Sequence, residues 1–342
     1  MYKSISINDP EFQAKLIENF KSDGLAVIND VLDDDECFDS MNNIVNDFVK
    51  LDTGIDLNNI KQTWIDKNLP PQTKPGLFQA LMSNSDAVWK LRGNDKIRKI
   101  FEILYSNVRG KEITEFIVSG DGINVRPGDI GPFYKGEDWA HLDQTIRGNI
   151  YKCIQGQIIL TNTTASFVAS PKSHLVFEKI LDTLKSNSKD NWLKFKNNDI
   201  ATVKQLIKDV QGSYQIPIIA KRGSFIVWSS SLVHAAKLQS KCENPGVGIN
   251  KYDGWRGVVY ICYRPTEEFN SIEINKRRNA FEENRVLNHW SIKLFNKKPG
   301  SRFSYTTKKH DNFELMINNP KLVYDKIGKP VLSDEQKCLL SL

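Results

Sequence analysis

The stretch KRGSFIVWSSSLVHAAKL, residues 221–238, contains two short runs of β-branched and aromatic residues on either side of a serine cluster. Such residues favour strands, and polar clusters between them favour turns. The same texture recurs on both sides of this stretch, where Gly, Pro, Asn and Asp separate the runs. Nine runs are present, at residues 113–119, 122–127, 139–145, 151–160, 165–170, 214–220, 224–230, 232–238 and 256–264. Their number predicts a β-sandwich or barrel.

Helical patterns precede this β-rich part. We expect a helix over residues 10–21 that ends at Gly24, a strand over 25–30, and a second helix from Asp33 toward Lys50, because acidic residues favour helix N-termini. Residues 60–75 predict a loop. Ser85 or Asp86 should cap a further helix, which Gly93 splits in two.

A second helical region interrupts the β-rich runs between residues 175 and 210, where Asn198 or Asp199 should cap the later helix. We therefore expect one α+β domain over residues 1–342. Its parts are a mainly helical region at 1–110, a β core at 111–265 with the insertion at 175–210, and an extension at 266–342. A chain of this length can form one enlarged domain.

The charge pattern argues against a nucleic-acid partner. Lys and Arg number 47 against 41 acidic residues, for a net charge of +6, and both signs are spread along the chain. The two dense basic stretches, Lys276-Arg277-Arg278 and Lys297-Lys298, are interpreted as solvated surface. We expect a small-molecule substrate.

The cysteine content and the hydropathy of the chain indicate the cellular compartment expected for the protein. The five cysteines form no C-x-x-C pair, which argues against a disulfide framework and against structural zinc. The first residues lack the apolar segment of a signal peptide, and no run of 18 apolar residues could span a bilayer. The expectation is a soluble protein of the reducing cytoplasm without a membrane partner.

The candidate chemistry begins with His141 and Asp143, which are separated by one residue in the run 139–145. On a strand, residues two apart point to the same face, so both side chains can reach one metal ion. His234, in another β-rich run, supplies a second imidazole. Two histidines and one carboxylate form a facial triad that leaves open positions on Fe(II) for oxygen activation. A zinc hydrolase would need a different ligand pattern, such as H-E-x-x-H, which the sequence lacks.

An arginine after the second histidine completes the candidate set. Arg256 begins the last strong β run, and its guanidinium can bind the distal carboxylate of a dicarboxylate cosubstrate in a bidentate manner. Arg264 is the competitor, since it has the same parity on that run. The two lie roughly 26 Å apart on an extended strand, so only one can lie near the metal, and we favour Arg256.

With these residues in place, the sequence resembles the phytanoyl-CoA dioxygenase (PhyH)-like family of oxygenases. The family's opening helix and strand look like FKSDGLAVINDVLDDDECF, residues 20–38, and its metal motif looks like His141-Leu142-Asp143. Its P-G-S-H turn looks like residues 171–174, with Lys172 in the place of the usual glycine. The distal histidine and arginine look like His234 and Arg256, and the resemblance extends to about residue 264.

The resemblance implies a double-stranded β-helix, a jelly-roll or cupin-like core. It implies Fe(2+) held by His141, Asp143 and His234, with 2-oxoglutarate as cosubstrate and O2 as oxidant. Arg256 would bind 2-oxoglutarate, and Asn124 occupies a position where relatives contact this cosubstrate. The expected reaction is hydroxylation of a small-molecule, acyl or amino-acid substrate with release of succinate and CO2.

Two alternatives stay open beside this hypothesis. One is a catalytically inactive β-helix that serves as a binding or interaction module. The other, a halogenase, is disfavoured because Asp143 occupies the position that halide would need. His174 and His289 are assigned structural roles, while Trp139 and Tyr134 could equally line a substrate entrance or pack. The sequence identifies neither the substrate nor the oligomeric state.

Overall fold

The computed structural model describes residues 2–136, 139–186, 191–241, 251–290, 294–295 and 310–342. The described residues form helices α1 Phe12–Asp23, α2 Asp34–Lys50, α3 Ile60–Thr63, α4 Asp86–Arg92, α5 Asp95–Arg109, α6 Phe177–Thr183, α7 Asn197–Asp209, α8 Ser271–Glu282, α9 Asp311–Asn318, α10 Leu322–Ile327 and α11 Asp334–Cys338. The strands are β1 Ile5–Ser6, β2 Leu25–Asn29, β3 Leu77–Phe78, β4 Phe116–Val118, β5 Ile123–Arg126, β6 His141–Leu142, β7 Ile154–Ile159, β8 Ser166–Ala169, β9 Leu193–Lys194, β10 Ile216–Ile218, β11 Phe225–Ser229, β12 His234–Lys237, β13 Arg256–Tyr260, β14 Tyr263–Pro265, β15 Val286–Leu287 and β16 Leu294–Phe295.

Two sheets form the centre of this mixed α/β fold. The larger has the order β1-β2-β11-β7-β13-β5-β3 and the smaller the order β10-β8-β12-β6-β9. From β5 to β13 the chain passes back and forth between them: β5, β7, β11 and β13 belong to the larger sheet, and β6, β8, β10 and β12 to the smaller. Each of the nine predicted runs contains a strand, so the β-rich core is confirmed.

Apolar side chains from both sheets meet between them. Phe167 and Ile218 come from the smaller sheet, and Trp228 and Val258 come from the larger one. Burial of such side chains contributes about 1.5–3 kcal/mol each. The two sheets therefore pack face to face, and the space between them contains the candidate site.

The predicted N-terminal elements are also present. Gly24 ends α1 in a left-handed conformation, with φ of 77°, and β2 follows at once. Asp33 caps α2 through a capping box with Glu36. Ser85 caps α4, and Gly93 separates α4 from α5. In the part predicted as loop, the chain forms the single-turn helix α3.

The prediction of one strand for the last β run, residues 256–264, is wrong in one respect. It forms two strands, because the chain leaves the larger sheet after Tyr260 and β14 then pairs with β4 in a separate two-stranded sheet. The backbone N–H of Ser119, beside β4, donates to the carbonyl oxygen of Cys262 at 2.7 Å and holds the chain at this bend. Arg256 and Arg264 therefore lie on different sheets and do not share a face.

The insertion and the basic stretches also differ from expectation. Residues 175–210 contain the short strand β9, which pairs with β6, between the two expected helices. Helix α7 begins at Asn197, because the side chain of Asp199 accepts from the backbone N–H of Lys196. Arg277, predicted at the surface, is 2% exposed and packs in the protein interior. Lys297-Lys298 and Cys242 lie outside the described residues.

Among the described helices, none is long and apolar enough to cross a membrane.

Candidate metal centre

His141 and His234 face each other across two paired strands of the smaller sheet. His141 on β6 is the direct register partner of His234 on β12, and their ring centroids are 4.3 Å apart. Directly opposed positions on antiparallel strands bring side chains together on one face. The pairing of β6 with β12 therefore unites two histidines that are far apart in sequence.

Asp143 lies just beyond β6, where its backbone N–H donates to the carbonyl oxygen of Ser230 at 3.2 Å. Its carboxylate oxygens lie 3.8 Å from Nε2 of His141 and 3.3 Å from Nε2 of His234. One ligand atom from each residue lies within 4.8 Å of the other two. Among the described residues, this is the one group of three or more His, Cys, Asp or Glu side chains with such an arrangement.

Hydrogen bonds orient both imidazole rings toward the carboxylate. Nδ1 of His234 lies 2.8 Å from the carbonyl oxygen of Leu232, and Nδ1 of His141 lies 3.3 Å from that of Trp139. Because a carbonyl oxygen only accepts, each Nδ1 carries the proton. Both Nε2 lone pairs are therefore directed at the centre of the triad, the state in which histidine binds a metal.

The protonation states also suit metal binding. Burial, together with the nearby His234, lowers the pKa of His141 to about 3, so its imidazole is neutral at pH 7. Burial alone would raise the pKa of Asp143, but the neighbouring His289, His141 and His234 lower it below its usual range. A neutral imidazole beside an ionised carboxylate is what a divalent cation requires. The donor set of nitrogen and carboxylate oxygen fits Fe(II).

Residues outside the triad hold Asp143 in place. The side-chain amide of Gln155, on β7, donates to Oδ2 of Asp143 at 3.1 Å. The indole N–H of Trp290 donates to the backbone carbonyl oxygen of Asp143 at 3.0 Å. Trp290 follows β15, so the C-terminal extension reaches the centre, and the adjacent His289 is close enough to act electrostatically on Asp143. His289 thus lies beside the centre rather than at a remote surface.

Sequence patterns did not point to Gln155 or Trp290. Gln155 does lie in a predicted strand, on the side that faces the core, and a polar residue at such a position can be recognised as unusual. Trp290 lies in a segment whose structure the sequence left uncertain, and no local pattern relates it to Asp143.

Arg256 and Asn124 lie on neighbouring strands of the larger sheet. Asn124 on β5 pairs in register with Val258 on β13, two residues beyond Arg256. Burial raises the pKa of Tyr260, but its side chain is close enough to Arg256 and Asn124 for both to act in the lowering direction. The three residues therefore form one polar group on the inner face of this sheet.

The guanidinium of Arg256 is incompletely paired. Its Nη1 donates to the carbonyl oxygen of Ala165 at 3.2 Å, while its buried Nη2 has no hydrogen-bond partner among the described residues. Burial lowers the pKa of Arg256. Ala165 precedes β8, whose Ala169 pairs with His234. Arg256 and the triad therefore lie toward opposite ends of β8, about 13 Å apart along the strand.

Arg264 has its partners elsewhere, although its buried Nε has no hydrogen-bond partner among the described residues. Its Nη2 lies 2.5 Å from the carboxylate of Glu268, its Nη1 donates to the carbonyl oxygen of Trp290 at 2.9 Å, and its guanidinium stacks on the rings of Phe269 and Trp290. The structure thus gives Arg264 a carboxylate partner within the chain and leaves Arg256 without one among the described residues.

Aromatic residues surround the outer side of His141. The ring of Trp139 stacks on that of His141, with centroids 4.9 Å apart and planes 14° from parallel, and its indole N–H donates to the carbonyl oxygen of Ala236. Trp192, from the insertion, is 49% exposed with its ring centroid 6.3 Å from that of His141. Tyr134 is 46% exposed beneath the ammonium group of Lys237. The rings of Trp139 and Trp192 thus border His141.

Comparison with known proteins gives a fold and no family. No family model and no curated protein matches this sequence. Solved structures match: hypothetical protein JW0805 from Escherichia coli has a TM-score of 0.59 at 14% identity, over 99% of this chain and 85% of that chain. GlcNAc Inducible Gene 2, GIG2 (DUF1479), from Candida albicans has a TM-score of 0.55 at 16% identity, over 99% and 83%. These two likenesses show a shared fold.

A third structure, the epimerase SnoN in complex with Fe3+, alpha ketoglutarate and nogalamycin RO, has a TM-score of 0.45 at 13% identity, over 75% of this chain and 85% of that chain.

Proposed function

We propose that this protein is a non-haem Fe(II), 2-oxoglutarate-dependent dioxygenase that hydroxylates a small-molecule, acyl or amino-acid substrate. The observation that carries the proposal is the buried triad, in which two Nε2 atoms and a carboxylate converge from strands β6 and β12. Two histidines and one carboxylate are the ligand set that leaves positions free for a cosubstrate and dioxygen. The alternation of strands between the two sheets supports a double-stranded β-helix, built as one domain.

His141, Asp143 and His234 would hold the iron, and Arg256, Tyr260 and Asn124 would bind the distal carboxylate of 2-oxoglutarate. The unpaired Nη2 of Arg256 supports this, because a buried N–H without an acceptor costs roughly 1–3 kcal/mol and a carboxylate would satisfy it. An extended dicarboxylate anchored at the metal would lie along β8 toward Arg256. Iron with 2-oxoglutarate and dioxygen supplies oxidation of a C–H bond, with release of succinate and CO2.

The protein's own residues have three tasks in this proposal. Leu232 and Trp139 hold the histidine tautomers through their carbonyl oxygens. Gln155 orients the carboxylate of Asp143. The aromatic rings beside His141 restrict water at the entrance and would contact the substrate.

The experiment is an anaerobic titration of the Fe(II)-loaded protein with 2-oxoglutarate, followed by visible absorption. We expect a weak charge-transfer band in the wild type and in the control variant His174→Gln, whose histidine lies outside the triad. The band should be absent in His234→Ala. A band that survives in His234→Ala removes the triad assignment, and a folded, iron-replete protein without any band favours the non-catalytic binding module.

A further inference from the structure

Arg277 on α8 is a buried cation with incomplete hydrogen bonding. Its side chain is 2% exposed, and its Nη2 donates to the carbonyl oxygens of Val118 and Leu339. Nε and Nη1 are both buried and have no hydrogen-bond partner among the described residues. Two N–H groups of one interior guanidinium therefore lack an acceptor.

Its charge also lacks a counter-charge in the described part of the chain. The charged groups that act on Arg277 are Arg92 and Arg264, both positive, and together with burial they lower its pKa to about 9. Arg264 has Glu268 as a partner, and Arg92 has Asp121 nearby. Residues 291–309, which follow α8 and β15 and are only partly described, include no Asp or Glu. Arg277 is thus charged at pH 7, and an unpaired buried charge is strongly unfavourable.

The guanidinium borders a small cavity between α8, β4 and the C-terminal helix. The cavity leaves about 10 Å³ for the centre of a water-sized particle, so one water molecule or one small ion fits. Its walls include Ser119, the polar residues Asn84 and Arg285, and the apolar residues Phe281, Leu287 and Leu340. Ser119 Oγ accepts from the backbone N–H of Cys262, so its own proton is available for donation. Three N–H or O–H donors, in a wall that contains two arginines and no acidic residue, suit a small monovalent anion.

We propose that this cavity binds one chloride-sized anion between the Arg277 guanidinium and the Ser119 hydroxyl. A phosphate or sulfate ion exceeds the available volume. A water molecule would satisfy the hydrogen bonds and leave the charge of Arg277 uncompensated. Because Arg277 also contacts β4 and Leu339 beside α11, the bound anion would stabilise the packing of the C-terminal segment on the core.

The first test is thermal unfolding of the full chain in chloride or in gluconate at constant ionic strength. A ligand that binds only the folded protein should raise Tm by roughly 2 °C for each tenfold increase in chloride above its dissociation constant. Arg277→Met should lose this response, while Arg278→Met, with the same charge change on the next residue of the helix, should keep it. Equal Tm values in the two salts, or a response that survives in Arg277→Met, overturn the proposal.

The second test does not depend on a variant that folds. Wild-type crystals grown in bromide should show an anomalous-scattering peak in the cavity beside Arg277. A cavity without such a peak at saturating bromide overturns the proposal. Neither test involves the metal centre, so the outcome is independent of the proposed oxygenase activity.

Discussion

At the scale of single residues, the two arginines that competed for the cosubstrate have different partners. Each keeps one buried N–H without an acceptor among the described residues, but only Arg264 has a carboxylate partner there, Glu268. Arg256→Met should therefore raise the Kd for 2-oxoglutarate about 30-fold or more, as expected when one member of a buried charge pair is removed. Isothermal titration of the metal-loaded protein measures this.

Arg264→Met is the matched control. It should leave the Kd for 2-oxoglutarate within a factor of about two and lower the free energy of unfolding by about 1–3 kcal/mol, because the carbonyl oxygen of Trp290 loses its donor while Glu268 keeps Arg109 as a partner. The reverse pattern, with weaker binding only in Arg264→Met, would assign the cosubstrate to Arg264.

His174 has a pH-dependent effect on stability. It is fully buried, its Nε2–H donates to the carbonyl oxygen of Lys21 at 3.0 Å, and burial lowers its pKa to about 4. As pH falls, His174 of the unfolded chain binds a proton near pH 6.5, whereas His174 of the folded chain does so only near pH 4. The stability contributed by His174 is therefore complete above pH 6.5 and is lost as pH falls toward 4. The loss amounts to as much as about 3 kcal/mol.

His174→Gln should reduce this pH dependence while it keeps a donor for Lys21. Urea unfolding of the metal-free wild type and variant at pH 7, 6 and 5 measures the difference between their free energies of unfolding. Because both proteins contain His141, its own pH dependence cancels in this difference. Parallel curves for the two proteins would show that His174 does not titrate as described.

Two residues near His174 have a left-handed backbone conformation. A Cβ atom on Gly24 would lie 2.6 Å from Nδ1 of His174, and φ of Gly24 is positive. Lys172 also adopts a positive φ of 69°. The turn at Lys172 therefore has a backbone conformation that favours glycine, and the lysine side chain makes it less stable by roughly 1 kcal/mol.

At the scale of elements, helix α2 depends on its cap. The carboxylate of Asp33 accepts from the backbone N–H of Glu36 at 2.8 Å, and the Glu36 side chain accepts from Asp33 N–H. Asp33→Ala should lower the free energy of unfolding by about 1 kcal/mol. Asp35→Ala, at an exposed position two residues further along the helix, should change it by less than about 0.5 kcal/mol. Equal effects in chemical unfolding would argue that charge, and not the cap, stabilises the helix.

At the scale of the whole molecule, one apolar cluster extends from Ile5 near the start to Leu340 near the end of the chain. It unites the N-terminal helices, the larger sheet and the C-terminal helices. We therefore expect the metal-free protein to unfold in one calorimetric transition, with equal calorimetric and van't Hoff enthalpies. Two resolved transitions would contradict a single domain.

The C-terminal helix α11 should belong to this cooperative unit. Leu339 and Leu340 are buried, and the carbonyl oxygen of Leu339 accepts from the backbone N–H of Val118 at 3.1 Å. Leu340→Ala should lower the free energy of unfolding by about 2–5 kcal/mol in the same transition. Val331→Ala, at a residue that is 91% exposed, is the control and should change it little.

The sequence by itself determined the β-rich core, the N-terminal helices with their caps, and the three residues of the candidate metal centre. Each depends on local chemistry: strand periodicity, a capping carboxylate, or a H-x-D motif on one face of a strand. Local patterns also favoured Arg256 over Arg264, but they placed both arginines on one strand, since parity along a strand says nothing about where the strand ends.

Only the tertiary structure decided the rest, because those features depend on contacts between distant segments. The bend after Tyr260 that sends Arg264 to another sheet follows from pairing with β4. The support of Asp143 by Trp290 comes from 147 residues further along the chain. Arg277 has the sequence context of a surface residue and is buried because the C-terminal helix packs over it. Long-range packing sets the burial of a side chain, and burial sets which charges need a partner.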